Sequence, residues 1–301
     1  MRNHAPNFGE PTDHRGNAPA LGLTDEVAFG YPRDFLSNQF VYLVISPRAK
    51  GLSIGLNLNP VVKCSLNCLY CEVDRNQPAQ GTKLDLHRMA LELRQTLELA
   101  GGGRLRQWPR YAKLPAELLK VQHVALSGDG EPTLADDFVE AVRTVIHLRM
   151  IGGFFKIVLL TNSTALDQPH AKQGLALLAH GDEIWAKLDG GTQEYLTRIN
   201  GPNISLKKVL KNILSVAQRR PVVIQSLFPA IDGEEPPDNE IEEYAQRLKE
   251  LKAAGAEISL VQIYSAVRPM VGRKCGHLPL KSLSRIAKTV RSVADLRAEV
   301  F

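Results

Sequence analysis

From position 40 onward, short continuous apolar runs alternate with longer stretches whose apolar residues recur every three or four positions. Phe40 to Ile45 and Leu52 to Leu58 are the first strand-like runs. Val121 to Leu126, Lys156 to Leu160, Glu183 to Leu188, Val222 to Phe228 and Ile258 to Tyr264 follow. Apolar runs of this length predict strands buried on both faces. Between them, Leu84 to Leu99, Asp136 to Arg149, Gln168 to His180, Leu206 to Arg219 and Asn239 to Ala254 carry the helical period, and a last helix is predicted from Leu280 to Arg297.

Strands alternating with helices predict right-handed crossovers and a parallel sheet. Counted from the strand that leads into the cysteines, six strand-helix units predict an α/β fold, an incomplete (β/α)6 parallel barrel with an N-terminal extension. A doubly wound sheet has the same periodicity and stays open as the alternative. Residues 1–37, rich in Asn, Pro, Gly and His, read as a poorly ordered arm, and residues 38–301 as the core domain. The connection from Gly101 to Leu119 is longer than usual and could lie over a site.

Composition narrows the class. A chain of 301 residues, 44% hydrophobic, can bury a large core, and its net charge of +5 is compatible with an anionic partner. The basic residues are dispersed and lack interleaved aromatics, so a nucleic-acid role has little support from charge. No window approaches the roughly 18 apolar residues of a membrane span, and the first residues do not read as an export signal. Three of the four cysteines are clustered, which suits thiolate ligands in a reducing compartment and predicts a cytoplasmic protein.

Those three, Cys64, Cys68 and Cys71, share one short loop. Soft thiolates select zinc or iron-sulfur clusters. Three of them complete neither a tetrahedral zinc site nor the four irons of a cubane, so one metal position stays open, as in catalytic centres. The alternative is a zinc knuckle completed by Cys275 or a histidine such as His277, although zinc sites usually draw on two close ligand pairs.

Each predicted strand ends in polar or glycine residues, where parallel α/β folds place their ligands. Ser127-Gly-Asp-Gly-Glu-Pro-Thr133 follows the second strand of the barrel, Thr161-Asn-Ser163 the third and Lys187-Leu-Asp-Gly-Gly-Thr192 the fourth. Gln225 lies in the fifth and Tyr264 in the sixth. Glycines at 128 and 130 allow close backbone approach, and free carbonyls there could bind an amino acid's ammonium. Pro132 and Thr133 also form an ordinary helix-capping sequence, and both readings are compatible. Lys187 with Asp189 reads as a site pair or an internal salt bridge. Asn162, Gln225 and Tyr264 are site candidates or satisfied rim residues.

With Tyr70 just before Cys71, the cysteine spacing resembles the signature of the radical S-adenosylmethionine superfamily. The segment Gly128, Asp129, Gly130, Glu131 is similar to that family's Gly-Gly-Glu-Pro motif but carries Asp129 between its glycines. The runs Asn38 to Tyr42, Ser46 to Ser53, Asn57 to Pro60, Cys71 to Arg75 and Lys187 to Thr192 resemble stand-alone iron-sulfur oxidoreductases distantly similar to wyosine-forming tRNA enzymes. The resemblance implies a 4Fe-4S cluster on the three cysteines, its fourth iron chelated by the amino and carboxylate groups of S-adenosylmethionine. It further implies reductive cleavage to a 5′-deoxyadenosyl radical, an external electron donor such as a flavodoxin or ferredoxin, and a small molecule, peptide or RNA as substrate. Gly128 to Glu131 would meet the methionine amino group, Lys187 and Asp189 the ribose and carboxylate, and Tyr70 the adenine, unless it is a plain core tyrosine. A non-catalytic iron-sulfur or S-adenosylmethionine-binding protein, a sensor or electron carrier, is the rival reading. Cys275, flanked by Arg273 and Lys274, is either a hydrogen donor on a mobile cationic lid or an incidental thiol.

Overall fold

The computed structural model describes residues 35–61, 63–73, 83–266 and 275–301. The expected N-terminal arm therefore lies almost wholly outside the described residues, as do Arg273 and Lys274 of the proposed lid, whereas Cys275 is described.

One sheet organises the chain. β1 (Val41–Ser46) and β2 (Gly51–Asn57) form an antiparallel hairpin. From β2 the strands run parallel through β3 (Val121–Ser127), β4 (Lys156–Thr161), β5 (Glu183–Lys187), β6 (Val222–Leu227), β7 (Ile258–Tyr264) and a short β8 (Ala298–Val300). Spatial order follows sequence order throughout. A doubly wound sheet would reverse direction at a switch point. The absence of a reversal among these strands makes the fold a curled half-barrel of the (β/α)6 type.

The helices are α1 (Leu86–Gly101), α2 (Phe138–Gly152), α3 (Pro169–Leu177), α4 (Gln193–Asn200), α5 (Leu206–Ala217), α6 (Asp238–Ala253) and α7 (Leu280–Ala294). They cover one face of the sheet, where Leu159, Ile184, Ala186, Ile224, Val261 and Ile263 join the main core. The alternate residues Val158, Trp185 and Val223 form a separate apolar cluster on the concave face, with Leu160 and Leu260 against it. Lys187, Gln225, Gln262 and Tyr264 continue that inner face toward the carboxyl ends of the strands.

Three sequence expectations change. The eight-residue α4 was not anticipated, because two turns give too short a periodic window, although Thr192 caps its start and Gly201 with φ 93 ends it. The last helix stops at Ala294 instead of Arg297, since Asp295 takes a left-handed φ of 50 and the chain returns to the sheet as β8. The segment from Gly101 to Leu119 does not cover the strand ends that bear the cysteines. Its short helical turns lead into the amino end of β3, where Lys120 O accepts from the Leu52 N–H at 3.2 Å, while Trp108 and Tyr111 pack on Phe35. A helix-to-strand connection returns to the opposite end of the barrel, so length alone misplaced it.

Candidate active site

The cysteine loop leaves the carboxyl end of β2 and is fixed by three neighbours. Asn57, the last residue of β2, donates from Nδ2 to Asp129 Oδ2 at 2.6 Å, and its Oδ1 accepts from the N–H groups of Asn59 and Asp129, each at 3.1 Å. Asn59 Nδ2 donates to the Glu131 carbonyl, and the Glu131 N–H donates to Lys63 O at 3.0 Å. The loop after β3 is thus stitched to the backbone immediately before Cys64. Its two glycines serve different needs. Gly128 has φ 121, whereas a Cβ at Gly130 would sit 2.3 Å from Lys63 O.

Glu131 faces inward and is 2% exposed. Its carboxylate accepts from the Thr133 N–H and hydroxyl, the Thr161 hydroxyl at 2.7 Å and the Asn162 N–H at 2.6 Å. Burial pushes its pKa up while these four donors pull against the rise. The acid therefore joins the ends of β3 and β4, and the capping side chain of the turn Pro132–Leu134 is Glu131 itself.

Asn162 is the second clamp. Its Nδ2 donates to Ser65 Oγ at 3.0 Å and lies 3.7 Å from Cys64 Sγ, and its Oδ1 accepts from Thr164. The third clamp is α4. The N–H groups of Leu69 and Asn67 donate to the carbonyls of Ile199 and Asn200 at 2.7 and 3.0 Å. Asn200 Nδ2 reaches Cys68 Sγ at 3.2 Å, Tyr70 OH at 3.1 Å and Asp189 Oδ2 at 3.0 Å.

Asp189, 3% exposed, connects the other strand ends. It accepts from the Tyr70 hydroxyl and from the Leu227 N–H at 2.9 Å, and pairs with Lys187 Nζ at 3.2 Å. Lys187 also donates to Tyr264 OH at 3.0 Å and stands 4.8 Å from the Tyr70 ring centroid. Burial opposes its charge, but Asp189 and Tyr264 outweigh burial and raise its pKa. Burial, reinforced by Asp189, also raises Tyr70 well above the ordinary phenol and pushes the Cys68 thiol up to about 11 despite the Asn200 hydrogen bond. A metal at Cys68 must therefore displace a tightly held proton, as metal binding to thiols does. Gln225, Gln262 and Tyr264 are linked through their side chains beneath this layer.

The cysteines are half-buried and share no disulfide among the described residues. No three His, Cys, Asp or Glu side chains of the described residues converge on a single-ion site. Thiolates that each take a different iron of a cubane need no such convergence. The donor set fits a cluster: three thiols on one anchored loop, two with amide N–H groups turned toward the sulfur. Sequence reasoning missed Asn57, Asn59 and Asn200 as positioning residues. The first two lay inside a quoted run, and Asn200 precedes the Gly201-Pro202 stop of an unanticipated helix. Cys275 pairs with Ile231 in a two-residue ladder at the carboxyl-end rim.

Residues 58–248, running from the start of the cysteine loop through β6 into α6, match the family model described as the Radical SAM superfamily. The chain belongs to the radical SAM superfamily. It is a radical SAM iron-sulfur enzyme whose cofactors are a 4Fe-4S cluster and S-adenosylmethionine, and radical SAM enzymes generally need an electron donor. Among relatives, UPF0026 protein slr1464 of Synechocystis sp. (strain ATCC 27184 / PCC 6803 / Kazusa) is 29% identical over 181 residues, 59% of this chain and 59% of its own length. The chain thus spans just under three fifths of that relative. In fold, this radical SAM protein is similar to TYW1 with a lysine-pyruvate adduct bound, with TM-score 0.51, 16% identity and coverage of 87% of this chain and 85% of that one. A spore photoproduct lyase variant gives TM-score 0.50 at 8% identity, covering 79% of this chain and 74% of that one. No helix of the described residues is long and apolar enough to cross a membrane.

Proposed function

We propose that this protein reductively cleaves S-adenosylmethionine and uses the resulting 5′-deoxyadenosyl radical to abstract hydrogen from a substrate. The observation that carries the reading is the anchored loop of Cys64, Cys68 and Cys71, held against the ends of β3 and β4 and against α4. The cluster and S-adenosylmethionine, when bound, supply the electron transfer and the reactive carbon radical. The chain supplies placement. The three thiolates would hold three irons of the cluster, and Asn162 and Asn200 turn amide N–H groups toward Cys64 and Cys68. Gly128, Asp129 and Gly130 offer backbone to the cofactor's amino group, with Glu131 fixing their loop from beneath. Tyr70, Lys187 and Asp189 form the neighbouring wall, and Gln225 and Tyr264 extend it.

The electron donor is a flavodoxin or ferredoxin, and the working compartment is the reducing cytoplasm. The test is anaerobic reconstitution followed by reduction with S-adenosylmethionine. Release of 5′-deoxyadenosine is expected. A fully loaded, reduced protein that releases none would reassign the chain to cofactor binding without catalysis.

A further inference from the structure

Arg48, in the turn between β1 and β2, reaches across the concave face to the far side of the half-barrel. Its guanidinium carbon lies 4.0 Å from the ring centroid of Tyr264, at the end of β7. The same ring has Lys187 Nζ 5.3 Å from its centroid, and the Tyr264 hydroxyl accepts from that ammonium. Two cations therefore flank one tyrosine, yet their partners differ. Lys187 has Asp189 at 3.2 Å, and that carboxylate is shared with Tyr70, Asn200 and the Leu227 N–H. Arg48 pairs with no carboxylate of the described residues, and its Nε is buried without a hydrogen-bond partner among them. A half-buried guanidinium without a counter-charge is costly unless something else supplies one.

We propose that Arg48, backed by Tyr264 and Lys187, forms an oxyanion subsite for a carboxylate or phosphate group of the substrate. The inference rests on the radical reading above and names the class of substrate it acts on. The guanidinium carbon sits over the ring at 4.0 Å, and a guanidinium is a planar fork of N–H donors that can grip an oxyanion in bidentate fashion. Among the described residues, two positive groups against a single carboxylate leave one positive charge in excess, which favours an anion over a neutral or cationic ligand. Lys187 and Asp189 also adjoin the wall of Tyr70 and Cys68, so a substrate held at Arg48 is held beside the cluster loop. Sequence reading passed over Arg48 because a turn arginine looks solvated until the barrel curls it onto Tyr264.

The test titrates inorganic phosphate and, separately, acetate into anaerobically reconstituted holoenzyme saturated with S-adenosylmethionine. Binding is read from 31P and 13C line widths. The probe that binds tells a phosphate-bearing substrate from a carboxylate-bearing one. Arg48→Gln is expected to weaken that probe about tenfold or more, and Arg48→Lys, which keeps charge but loses the fork, several-fold. Lys50→Gln, an equal charge loss at an exposed position of the same turn, is expected to bind the probe like wild type. Probe binding undiminished in a folded Arg48→Gln, a loss as large in Lys50→Gln, or an equal loss of S-adenosylmethionine affinity would each overturn the proposal. The last would make Arg48 part of the cofactor seat. A preparation that binds the probe through Arg48 yet releases no 5′-deoxyadenosine on reduction would overturn the reaction assigned above and leave the subsite standing.

Discussion

The carboxylate of Glu131 accepts the backbone N–H of Asn162 at 2.6 Å and so locks the end of β3 to the end of β4. Asn162 in turn holds Ser65 and approaches Cys64, so one buried acid sets the position of the cluster loop from beneath. In Glu131→Gln an amide group replaces an oxygen that is surrounded by donors. We expect a loss of about 2 kcal/mol in folding stability, measured by denaturant unfolding, together with reduced iron loading. Full stability and full iron would show that the four contacts are dispensable.

Gly130→Ala tests close approach. The new Cβ would lie 2.3 Å from Lys63 O, one residue before Cys64. From the sequence, Gly130 is needed only for close approach of the backbone to a ligand. The contact predicts that iron loading falls as well, with overpacking costing about 1–3 kcal/mol. Iron analysis of the reconstituted variant checks it, and wild-type iron content would refute it.

Alanine at Cys64, Cys68 or Cys71 should abolish cluster binding, since two thiolates do not hold a cubane against solvent. Cys275→Ala should retain the cluster. Near-normal iron in any of the first three variants would remove that residue from the ligand set.

Asn200→Leu removes the amide donor 3.2 Å from Cys68 Sγ. Hydrogen bonds to cluster sulfurs stabilise the reduced, more negative state, so the reduction potential should move to a more negative value. An EPR-monitored redox titration reads the change, and a shift to more positive values would contradict the assignment. Tyr70 and Asp189 lose the same donor, so the melting temperature should fall too.

His123 lies deep on the concave face, bonded to Ser53 Oγ at 2.8 Å and edge-on to Trp185. Burial lowers its pKa from 6.5 to about 4; Glu183 opposes that shift to a smaller extent, and Lys156 adds to it. Between these values the unfolded chain binds more protons than the folded one, so stability rises with pH across the window and is lost as pH falls through it. The full effect is at most about 3 kcal/mol. His123→Gln should flatten this part of the profile, narrowing its melting-temperature gap from wild type as pH drops from 7 to about 4. A gap that stays constant would show that His123 does not titrate in this way.

The alternating runs were enough to predict strands β2 to β7 and the long helices, because apolar periodicity records which faces a chain must bury. The three cysteines stand out in the same way as candidate ligands, since thiolate spacing can be read within one loop. What periodicity could not decide was closure: a barrel and a doubly wound sheet use the same strands, and only the unreversed order of the ladders separates them. It also missed α4, and with it Asn200, because two turns are too few to show a period. The remaining site residues depend on pairs far apart in sequence, such as Asn57 with Asp129, Asn200 with Cys68 and Arg48 with Tyr264. Each residue type was readable at its position, but its partner was chosen by the curl of the sheet, which brings strand ends together irrespective of their separation along the chain.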